Sequence, residues 1–585
     1  MGSLDGPRRS APAVLPLLLI CIVAAAFRFI GLGWGAPYFH FHIDEHYVFQ
    51  GAEMLRRSVH EAAISGKFFM YGPLTMWMLN GVRAIHDRVA APLVMSLNTD
   101  QATYMIMGRA ISAAFGTACV PLVYVAGRRV AGRTAGLIAA LLFACAVVQL
   151  RESHFFSVDT VMLFFAVLAW IFALRIAETG RAREYVFAGL SLGAAVACKY
   201  TALFLVAVFG VAHLCSPKRP RSLADTRGWS AWVLRGLMPL AVGAVLFAAV
   251  DPMAITYFDK FRADIVYWVV GVNSGTWRPI YVAQFADVRP WLYWFTNVLW
   301  WGLGPALEIA GIVGILWLVI RRDRQSLVAA AFPVAYYAAV AQGIAPFMRY
   351  AAPLAAGLAV PAAVLCSDLL SRPRFRRAAT VLTVVVCAST ALYAVAYMHI
   401  FLSPDSRLTA SAWLLDNVPR DAKILVEPTH NRPPTGAYLS DNIDFNGDYV
   451  MWGTTPSSRD RRDYYELHTL DTYRTLYNRG PSDDDRRGYI RSRLALADWI
   501  VMDDTFLDFY EHLPESEHGV VKQYYRDLLA GRLGFQVVKT FKVYPSLFGR
   551  DIVDDGAELT FRLFDHPKVF VLARTVAGTD VASDP

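Results

Sequence analysis

An acidic pair, Asp44 and Glu45, lies between two histidines in the segment HFHIDEHYVFQGAEML. Carboxylates beside imidazoles can supply a general base, which must lie within hydrogen-bond reach of the proton it takes. The spacing of His42, Asp44 and His46 would also suit a metal ion, with zinc as one candidate. A simpler interpretation is that both acids stabilise the N-terminus of a helix. The residues up to Arg57 have the pattern of an amphipathic helix on a membrane surface.

The composition of the whole chain indicates which solvent surrounds these residues. The 585 residues are 56% hydrophobic and only 18% charged, and the mean hydropathy is +0.36. An ordinary soluble enzyme is less apolar than this. Lipid must therefore surround much of the chain, and charged groups near it are usually functional.

Eleven mainly apolar runs predict about eleven membrane helices. A helix rises about 1.5 Å per residue and needs about 20 residues to cross a bilayer. The shorter runs on either side of Lys199 could instead form a single tilted helix. The runs cover residues 13–33, 104–126, 134–150, 155–174, 185–198, 200–215, 232–250, 297–320, 327–342, 351–368 and 378–400.

The distribution of basic residues predicts that the N-terminus is cytoplasmic. With that orientation, twenty Lys and Arg fall in short cytoplasmic stretches, as the positive-inside rule expects. The net charge of +8 then reflects topology and attraction to anionic lipid, and no nucleic-acid-binding motif accompanies it. The stretches are residues 8–9, 128–133, 175–183, 218–235, 321–324 and 372–377.

The same orientation places three regions outside the cytoplasm: residues 34–103, residues 251–290 and a C-terminal domain over residues 401–585. The first apolar run could be a signal peptide, but no small-residue cleavage site precedes Trp34, so we expect a helix there. All seven cysteines fall in or beside predicted helices, so the outer domain must be stable without disulfides. No zinc site built from cysteines is expected.

The C-terminal domain has the pattern of a small α/β or α+β fold. We predict a helix over residues 409–417 and strands over residues 423–427, 498–502, 535–543 and 568–573. The polar stretch 457–493 is predicted to be a mobile excursion. The predicted architecture is therefore a polytopic α-helical membrane domain, residues 1–400, followed by a soluble extracytoplasmic domain.

Several motifs together resemble the GT-C superfamily of membrane glycosyltransferases, and most closely its family 39 branch. That branch contains protein O-mannosyltransferases and lipid A aminoarabinose transferases. The resemblance covers roughly residues 10–400. It is carried by the acidic pair after the first helix, the surface helix behind it, Arg151-Glu-Ser-His154 with Asp159, Lys199-Tyr-Thr, Asp251-Pro and Arg349-Tyr350.

The resemblance implies an enzyme that transfers a sugar, with inversion, from a polyprenyl-phosphate donor to an acceptor at the outer membrane face. The acceptor would be a lipid, a glycan or a protein, and the membrane would be the inner membrane of a bacterium. Asp44 would act as the catalytic acid or base, with Glu45 beside it. Asp44, His42 and His46 would be the ligands of any metal, and the sequence leaves open Mg, Mn, Zn or no metal at all.

The leaving group of such a reaction is a lipid phosphate, which needs cations nearby. Arginine suits bidentate phosphate binding, and lysine suits a point contact. Arg151 and Arg349 could instead be helix-end anchors, and Lys199 could simply separate two short helices. The candidates for the donor phosphate are Lys67, Arg151, Lys199, Arg278 and Arg349.

The family pattern also implies a second acid at the outer end of a membrane helix, and this role falls on Asp159. His154 and Tyr350 complete the predicted site. Capping of the helix by Ser157 or Asp159 is the competing interpretation.

Two other classes of protein remain open. A transporter or lipid flippase with an outer binding domain would carry ionisable residues at mid-membrane and broken helices. A membrane scaffold gives no reason for acids and phosphate-suited cations to share one face. An Asp44→Asn substitution would stop a transferase and leave a scaffold unaffected.

Overall fold

Helices make up most of the chain as far as Leu402 in the computed structural model. The structure describes residues 14–36, 42–65, 68–90, 101–220, 222, 225–427, 429, 433, 465–477 and 482–575. Each predicted apolar run overlaps one of these helices. Their bounds are Val14–Phe29, Gln101–Ala144, Val147–His154, Val158–Thr179, Ala182–Val196, Leu205–Leu214, Thr226–Val250, Leu299–Leu303, Pro305–Arg321, Arg324–Val340, Ala352–Leu370 and Arg376–Leu402.

The helices support a polytopic membrane protein. Within the described ranges, five helical stretches are long and apolar enough to cross a membrane: Thr103–Ala144, Val158–Thr179, Thr226–Val250, Met348–Leu370 and Pro373–Asn417. The remaining apolar helices are shorter. The figure of eleven spans therefore stays a prediction.

Two interruptions divide the helices as the sequence predicted. The helix Gln101–Ala144 breaks at Gly132, whose φ of 82° is accessible to glycine at little cost. Farther along, the helices Ala182–Val196 and Leu205–Leu214 are separated by Lys199 and a 3₁₀ turn, Tyr200–Phe204. The two runs around Lys199 are thus separate helices rather than a single tilted one.

Shorter helices build the regions that the sequence predicts to lie outside the cytoplasm. The first region contains Ile43–Arg57, Val59–Ile64, the 3₁₀ turn Phe68–Met70 and Leu74–Ala90. The second contains Met253–Thr256, Phe258–Asp264, the π-helix Ile265–Gly271, Val272–Ser274 and the 3₁₀ turn Ile280–Phe285. The helix Pro290–Tyr293 and the π-helix Trp294–Val298 follow it. Further 3₁₀ turns, Met348–Ala351 and Pro373–Phe375, precede the last two long helices.

The C-terminal domain is a mixed α/β unit. Its strands are β1 Lys423–Val426, β2 Glu466–Thr469, β3 Trp499–Asp503, β4 Phe535–Phe541, β5 Ser546–Leu547, β6 Arg550–Asp551 and β7 Val569–Arg574. Five of them form one sheet in the order β2-β1-β3-β7-β4, and β5 and β6 form a hairpin. Strands β2, β1 and β3 run parallel, whereas β7 is antiparallel to β3 and β4.

Helices cover this sheet: Ser406–Asn417, Asp483–Ala495, Thr505–Glu511, Glu515–Leu529 and Leu559–Leu563, with a π-helix at Thr472–Tyr477. The four strands and the one helix that were predicted for this domain are confirmed. The prediction of a mobile excursion over residues 457–493 is wrong where the structure describes that stretch, because it contains β2 and a helix capped by Ser482. Residues 457–464 and 478–481 lie outside the described residues.

Alternation along the strands gives the sheet two apolar faces. Leu425 and Ile500 belong to one core, and Ile424 and Val501 belong to the other, because successive strand residues point to opposite faces. The first core also includes Ile280 from the segment of residues 251–290. One face of the domain therefore packs onto the membrane domain.

Candidate active site

Asp44 lies in the first turn of the surface helix Ile43–Arg57. The cap of this helix is His42, whose Nδ1 accepts a hydrogen bond from the backbone amide of Glu45 at 3.3 Å. The helix is thus capped by the histidine and not by the acids, although the dipole still favours carboxylates there. Successive residues point about 100° apart around a helix, and Asp44 and Glu45 accordingly have different partners.

The Asp44 carboxylate is held by two groups from distant parts of the chain. Tyr71 donates its hydroxyl to Oδ1 at 2.7 Å, and Arg349 donates to Oδ2. Asp44 is only 6% exposed. Burial alone would raise the pKa of Asp44, but Arg349, His42, Tyr71 and Lys199 lower it below its ordinary value. The group is therefore ionised at neutral pH.

Arg349 lies on the 3₁₀ turn Met348–Ala351, at the start of the helix Ala352–Leu370. Its guanidinium carbon lies 5.2 Å from the centre of the Phe347 ring and 5.3 Å from that of Tyr350. The Nε atom is buried and has no hydrogen-bond partner among the described residues. A buried donor without a partner suggests that a ligand completes its environment.

A second ion pair borders the same tyrosine. Lys199 donates from Nζ to both oxygens of Asp159, at 2.7 and 2.9 Å, and Nζ lies 4.6 Å from the Tyr350 ring centre. Asp159 is in the first turn of the helix Val158–Thr179, and Ser157 makes no side-chain capping bond there. The predicted residues Asp44, Arg349, Tyr350, Lys199 and Asp159 thus come together in one cluster.

Glu45 is fully enclosed away from this cluster. Arg109 binds both of its carboxylate oxygens, at 2.7 and 2.8 Å, and the backbone amide of Phe156 donates to Oε1 at 2.9 Å. Arg109 also donates to the carbonyl oxygens of Leu32 and Trp34. Glu45, at 0% exposure, therefore anchors the surface helix and is not placed to contact a substrate.

Sequence reasoning missed Arg109, although a signal was present. An arginine within the apolar run 104–126 is costly in lipid unless it is paired. Its partner could have been sought among the acids of the adjoining outer loop.

Glu152 is a second residue that sequence reasoning missed. It is 0% exposed; Oε1 accepts from Arg151 at 2.6 Å, and Oε2 has no partner among the described groups. Burial raises the pKa of Glu152 to about 7; Asp159 and Asp44 also raise it, and Arg151 and Arg349 oppose the rise. The carboxyl is thus within electrostatic range of both ion pairs and suited to proton exchange near neutrality.

Arg151 and His154 have structural contacts. Arg151 is almost fully buried and donates to Glu152, to Asp565 at 3.1 Å and to the carbonyl oxygen of Thr560 at 2.5 Å. The His154 ring stacks on Phe401 with centres 3.8 Å apart, and burial lowers its pKa to about 4. Neither residue is part of the cluster around Tyr350.

The other two predicted cations are not in the cluster either. Arg278 is exposed, donates from Nε to the carbonyl oxygen of Gly275 at 3.3 Å, and lines a cavity of about 520 Å³ together with Phe285, Tyr477 and His518. Lys67 lies outside the described residues.

The predicted metal ligands do not converge. In the part of the chain that the structure describes, no group of three or more His, Cys, Asp or Glu side chains could hold a metal ion. The His42 ring lies between Phe155 and Phe564, with centres 4.5 and 4.4 Å away, and Asp44 is bound to Tyr71 and Arg349. The geometry gives no support to a site made by Asp44, His42 and His46.

One segment of the chain matches a known protein family. Residues 91–242 match the family described as dolichyl-phosphate-mannose-protein mannosyltransferase. This segment carries Arg109, Glu152, Asp159 and Lys199. No curated protein matches the chain by sequence.

The chain matches solved structures of an oligosaccharyltransferase, of ArnT and of a protein O-mannosyltransferase complex. The oligosaccharyltransferase of Archaeoglobus fulgidus in its apo form has a TM-score of 0.52 at 13% identity, over 88% of this chain and 73% of that one. ArnT from Cupriavidus metallidurans bound to undecaprenyl phosphate has a TM-score of 0.46 at 13% identity, over 95% and 97%. The S. cerevisiae Pmt1-Pmt2 complex bound to the sugar donor has a TM-score of 0.32 at 16% identity, over 43% and 34%.

The oligosaccharyltransferase similarity shows the fold, and the other two TM-scores are too low to add to it. The matched family and that enzyme both belong to the GT-C superfamily. The resemblance found in the sequence motifs is therefore confirmed, as is a helical membrane protein with a sheet-containing C-terminal domain.

Proposed function

We propose that this chain, a membrane protein with the GT-C fold, transfers a sugar from a polyprenyl-phosphate donor to an acceptor hydroxyl at the outer face of the membrane. The observation that carries the proposal is the cluster around Tyr350. It combines an ionised carboxylate, Asp44, with two cations, Arg349 and Lys199. The matched mannosyltransferase family supports this donor class.

The proposed reaction proceeds by a single displacement with inversion. The acceptor oxygen forms a bond to the anomeric carbon, the bond from that carbon to the phosphate oxygen breaks, and its electron pair remains on the lipid phosphate. Asp44 accepts the proton of the acceptor hydroxyl. Arg349 and Lys199 stabilise the charge that develops on the leaving phosphate.

Because Arg349 contacts Asp44, binding of the donor also changes the pKa of Asp44. A donor phosphate that forms an ion pair with Arg349 competes with the Asp44 carboxylate for its positive charge. Because Arg349 is the strongest influence that lowers the Asp44 pKa, the pKa rises and Asp44 becomes a better base. Donor binding would thus prepare the base for the acceptor.

Asp159 and Glu152 have supporting roles in this proposal. Asp159 holds Lys199 through both carboxylate oxygens, which fixes the cation beside Tyr350. Glu152 adds an ionisable carboxyl near both pairs. Glu45 positions the surface helix through Arg109. No step requires a metal ion held by His42 and His46.

We place the enzyme in the inner membrane of a bacterium, with the N-terminus cytoplasmic and the C-terminal domain on the opposite side. The asymmetric distribution of Lys and Arg supports this orientation. The acceptor is a hydroxyl of a lipid, a glycan or a protein, since the site chemistry requires only a hydroxyl.

The test is an assay of purified protein in lipid with a panel of labelled polyprenyl-phosphate sugars and crude envelope acceptors. We expect one donor to lose its sugar and to yield free polyprenyl phosphate, detected by mass spectrometry. An Arg349→Met variant should lose this activity, whereas Arg278→Met should retain it. Binding of donors without any sugar release would contradict the proposal and favour a transporter or flippase.

A further inference from the structure

One segment of the C-terminal domain contacts the elements that carry the candidate site. We call this segment, residues 554–566, the docking segment. It includes the short helix Leu559–Leu563 and precedes β7. Three of its contacts are with elements of the membrane domain that carry or adjoin residues of the candidate site.

The first contact is made by Glu558 with the turn that carries Arg349. Glu558 Oε2 accepts a hydrogen bond from the backbone amide of Met348 at 2.9 Å. Oε1 accepts from the backbone amide of Thr560 at 3.0 Å, and Glu558 is 0% exposed. Since Met348 directly precedes Arg349, this bond restricts the backbone from which the guanidinium reaches Asp44.

Hydrogen bonds to Gln284 in the second outer region, and to Asn297 just after it, fix the backbone position of Glu558. The backbone amide of Glu558 donates to Oδ1 of Asn297 at 2.7 Å, and Asn297 Nδ2 donates to the carbonyl oxygen of Gly556 at 2.7 Å. The backbone amide of Leu559 donates to Gln284 Oε1 at 3.0 Å. The backbone on both sides of the Glu558 side chain is therefore fixed, and the carboxylate extends from it to the Met348 amide.

The second contact is made by Asp565 with the helix Val147–His154. Its Oδ2 accepts from Arg151 Nε at 3.1 Å and from the Tyr397 hydroxyl at 2.6 Å. Its Oδ1 lies 2.6 Å from Nδ1 of His566. Arg151 in turn binds Glu152, so the domain also determines where this buried carboxyl lies.

The third contact is made by Phe564 with the cap of the surface helix. The Phe564 ring centre lies 4.4 Å from that of His42, two residues before Asp44. Ring pairs at this distance add packing energy beyond the area they bury. The docking segment thus touches the elements that present Asp44, Arg349 and Glu152.

We propose that the docking segment positions the active site, and that Glu558 is a positioning residue that sets Arg349 opposite Asp44. The inference rests on the proposed function. It assigns the C-terminal domain a part in turnover itself, rather than only in the choice of acceptor. A displacement of about 1 Å in such a geometry can lower a rate by about 100-fold.

The test compares Glu558→Ala, Glu558→Gln and the control Glu427→Ala in the full-length protein in lipid. Glutamine retains a carbonyl oxygen that can accept from the Met348 amide, and alanine does not. Glu427 is a matched control because it is also a buried glutamate of the same domain, and its side chain accepts from Tyr525 within that domain. The readouts are kcat and KM with the most active polyprenyl-phosphate sugar of the panel, and amide hydrogen exchange of residues 343–352.

We expect Glu558→Ala to lower kcat by about 10- to 100-fold with little change in KM and to speed exchange at residues 343–352. Glu558→Gln keeps an acceptor for the Met348 amide but loses the acceptor for the Thr560 amide, so it should restore part of both properties. Glu427→Ala should change neither. A wild-type kcat in Glu558→Ala, unchanged exchange, or an equal loss in Glu427→Ala would overturn the inference. If the wild type transfers no sugar, the proposed function fails, while the exchange data still decide whether Glu558 holds the turn.

Discussion

The two ion pairs at the candidate site, Asp44 with Arg349 and Asp159 with Lys199, are largely buried. Removing one partner of such a pair leaves an uncompensated charge and typically costs about 3–5 kcal/mol. Removing both partners is often close to neutral. A single substitution here therefore mixes a loss of stability with any loss of function.

The Lys199 pair separates the two effects. We expect Lys199→Met to lower both the thermal unfolding midpoint and the affinity for polyprenyl phosphate, because Asp159 is left unpaired and one phosphate-binding cation is lost. The double variant Lys199→Met with Asp159→Asn should regain stability but not affinity. Thermal unfolding and binding of labelled polyprenyl phosphate measure these two properties. Recovery of affinity in the double variant would show that Lys199 does not bind the phosphate.

Glu152 should make stability depend on pH. Its pKa is about 7 in the folded protein and near 4.5 when unfolded. The unfolded chain therefore loses this proton at a lower pH than the folded protein does. As a result, the free energy of unfolding falls by at most about 3 kcal/mol as pH rises from about 4.5 to about 7. Glu152→Gln should remove this part of the decline, as seen in thermal unfolding between pH 5 and pH 8. An identical pH dependence in the variant would contradict the account of Glu152.

Residue types and the resemblance to a known family together predicted five members of the cluster around Tyr350: Asp44, Asp159, Lys199, Arg349 and Tyr350 itself. They could not show that Glu45 points away, because its direction depends on Arg109, 64 positions later. Arg151 looked equally suited to phosphate, and only the contact with Asp565 reveals its structural role. These partners are separated by 64 and 414 residues along the chain and leave no local pattern.

At the scale of elements, the surface helix Ile43–Arg57 depends on the bond between Glu45 and Arg109. We expect Arg109→Met to cost about 3–5 kcal/mol, because Glu45 keeps a buried charge without its partner. Transfer should fall with it, since Asp44 is the preceding residue. Thermal unfolding in lipid and the transfer assay measure both effects. Unchanged stability would mean that the helix is held by its apolar contacts alone.

Helix positions were predictable because long apolar runs leave a strong signal in the sequence. Strands β1, β3, β4 and β7 were predictable for a similar reason, since each contains several β-branched or aromatic residues. Strand β2 was missed because the four residues Glu466–Thr469 are largely polar and lie within a charged stretch. Its partner β1 defines it as a strand, and that pairing is not local.

At the scale of the whole molecule, the C-terminal domain contacts the elements that carry the candidate site. The docking segment was not predictable, because no pattern in residues 554–566 indicates a partner near Met348. The contacts of Glu558 and Asp565 are the basis for our proposal that this domain positions the site.

The orientation in the membrane can be tested with two cysteine variants in a background that lacks the seven native cysteines. Phe548 is 91% exposed in the C-terminal domain, and Arg374 is exposed in a predicted cytoplasmic loop. A membrane-impermeant maleimide should label Phe548→Cys in intact cells and label Arg374→Cys only after lysis. The reverse pattern would place the site on the cytoplasmic side.

The most direct test of the central claim is the rate of sugar transfer by Asp44→Asn compared with wild type and with Glu53→Gln. Glu53 lies on the same helix and pairs with Arg56 and Arg83, so it controls for loss of a carboxylate from that helix. We predict that Asp44→Asn lowers kcat by about 10²–10⁴-fold while polyprenyl-phosphate binding stays within a few-fold, and that Glu53→Gln keeps its activity. Transfer at the wild-type rate by a folded Asp44→Asn variant would contradict the assignment of Asp44 as the catalytic base.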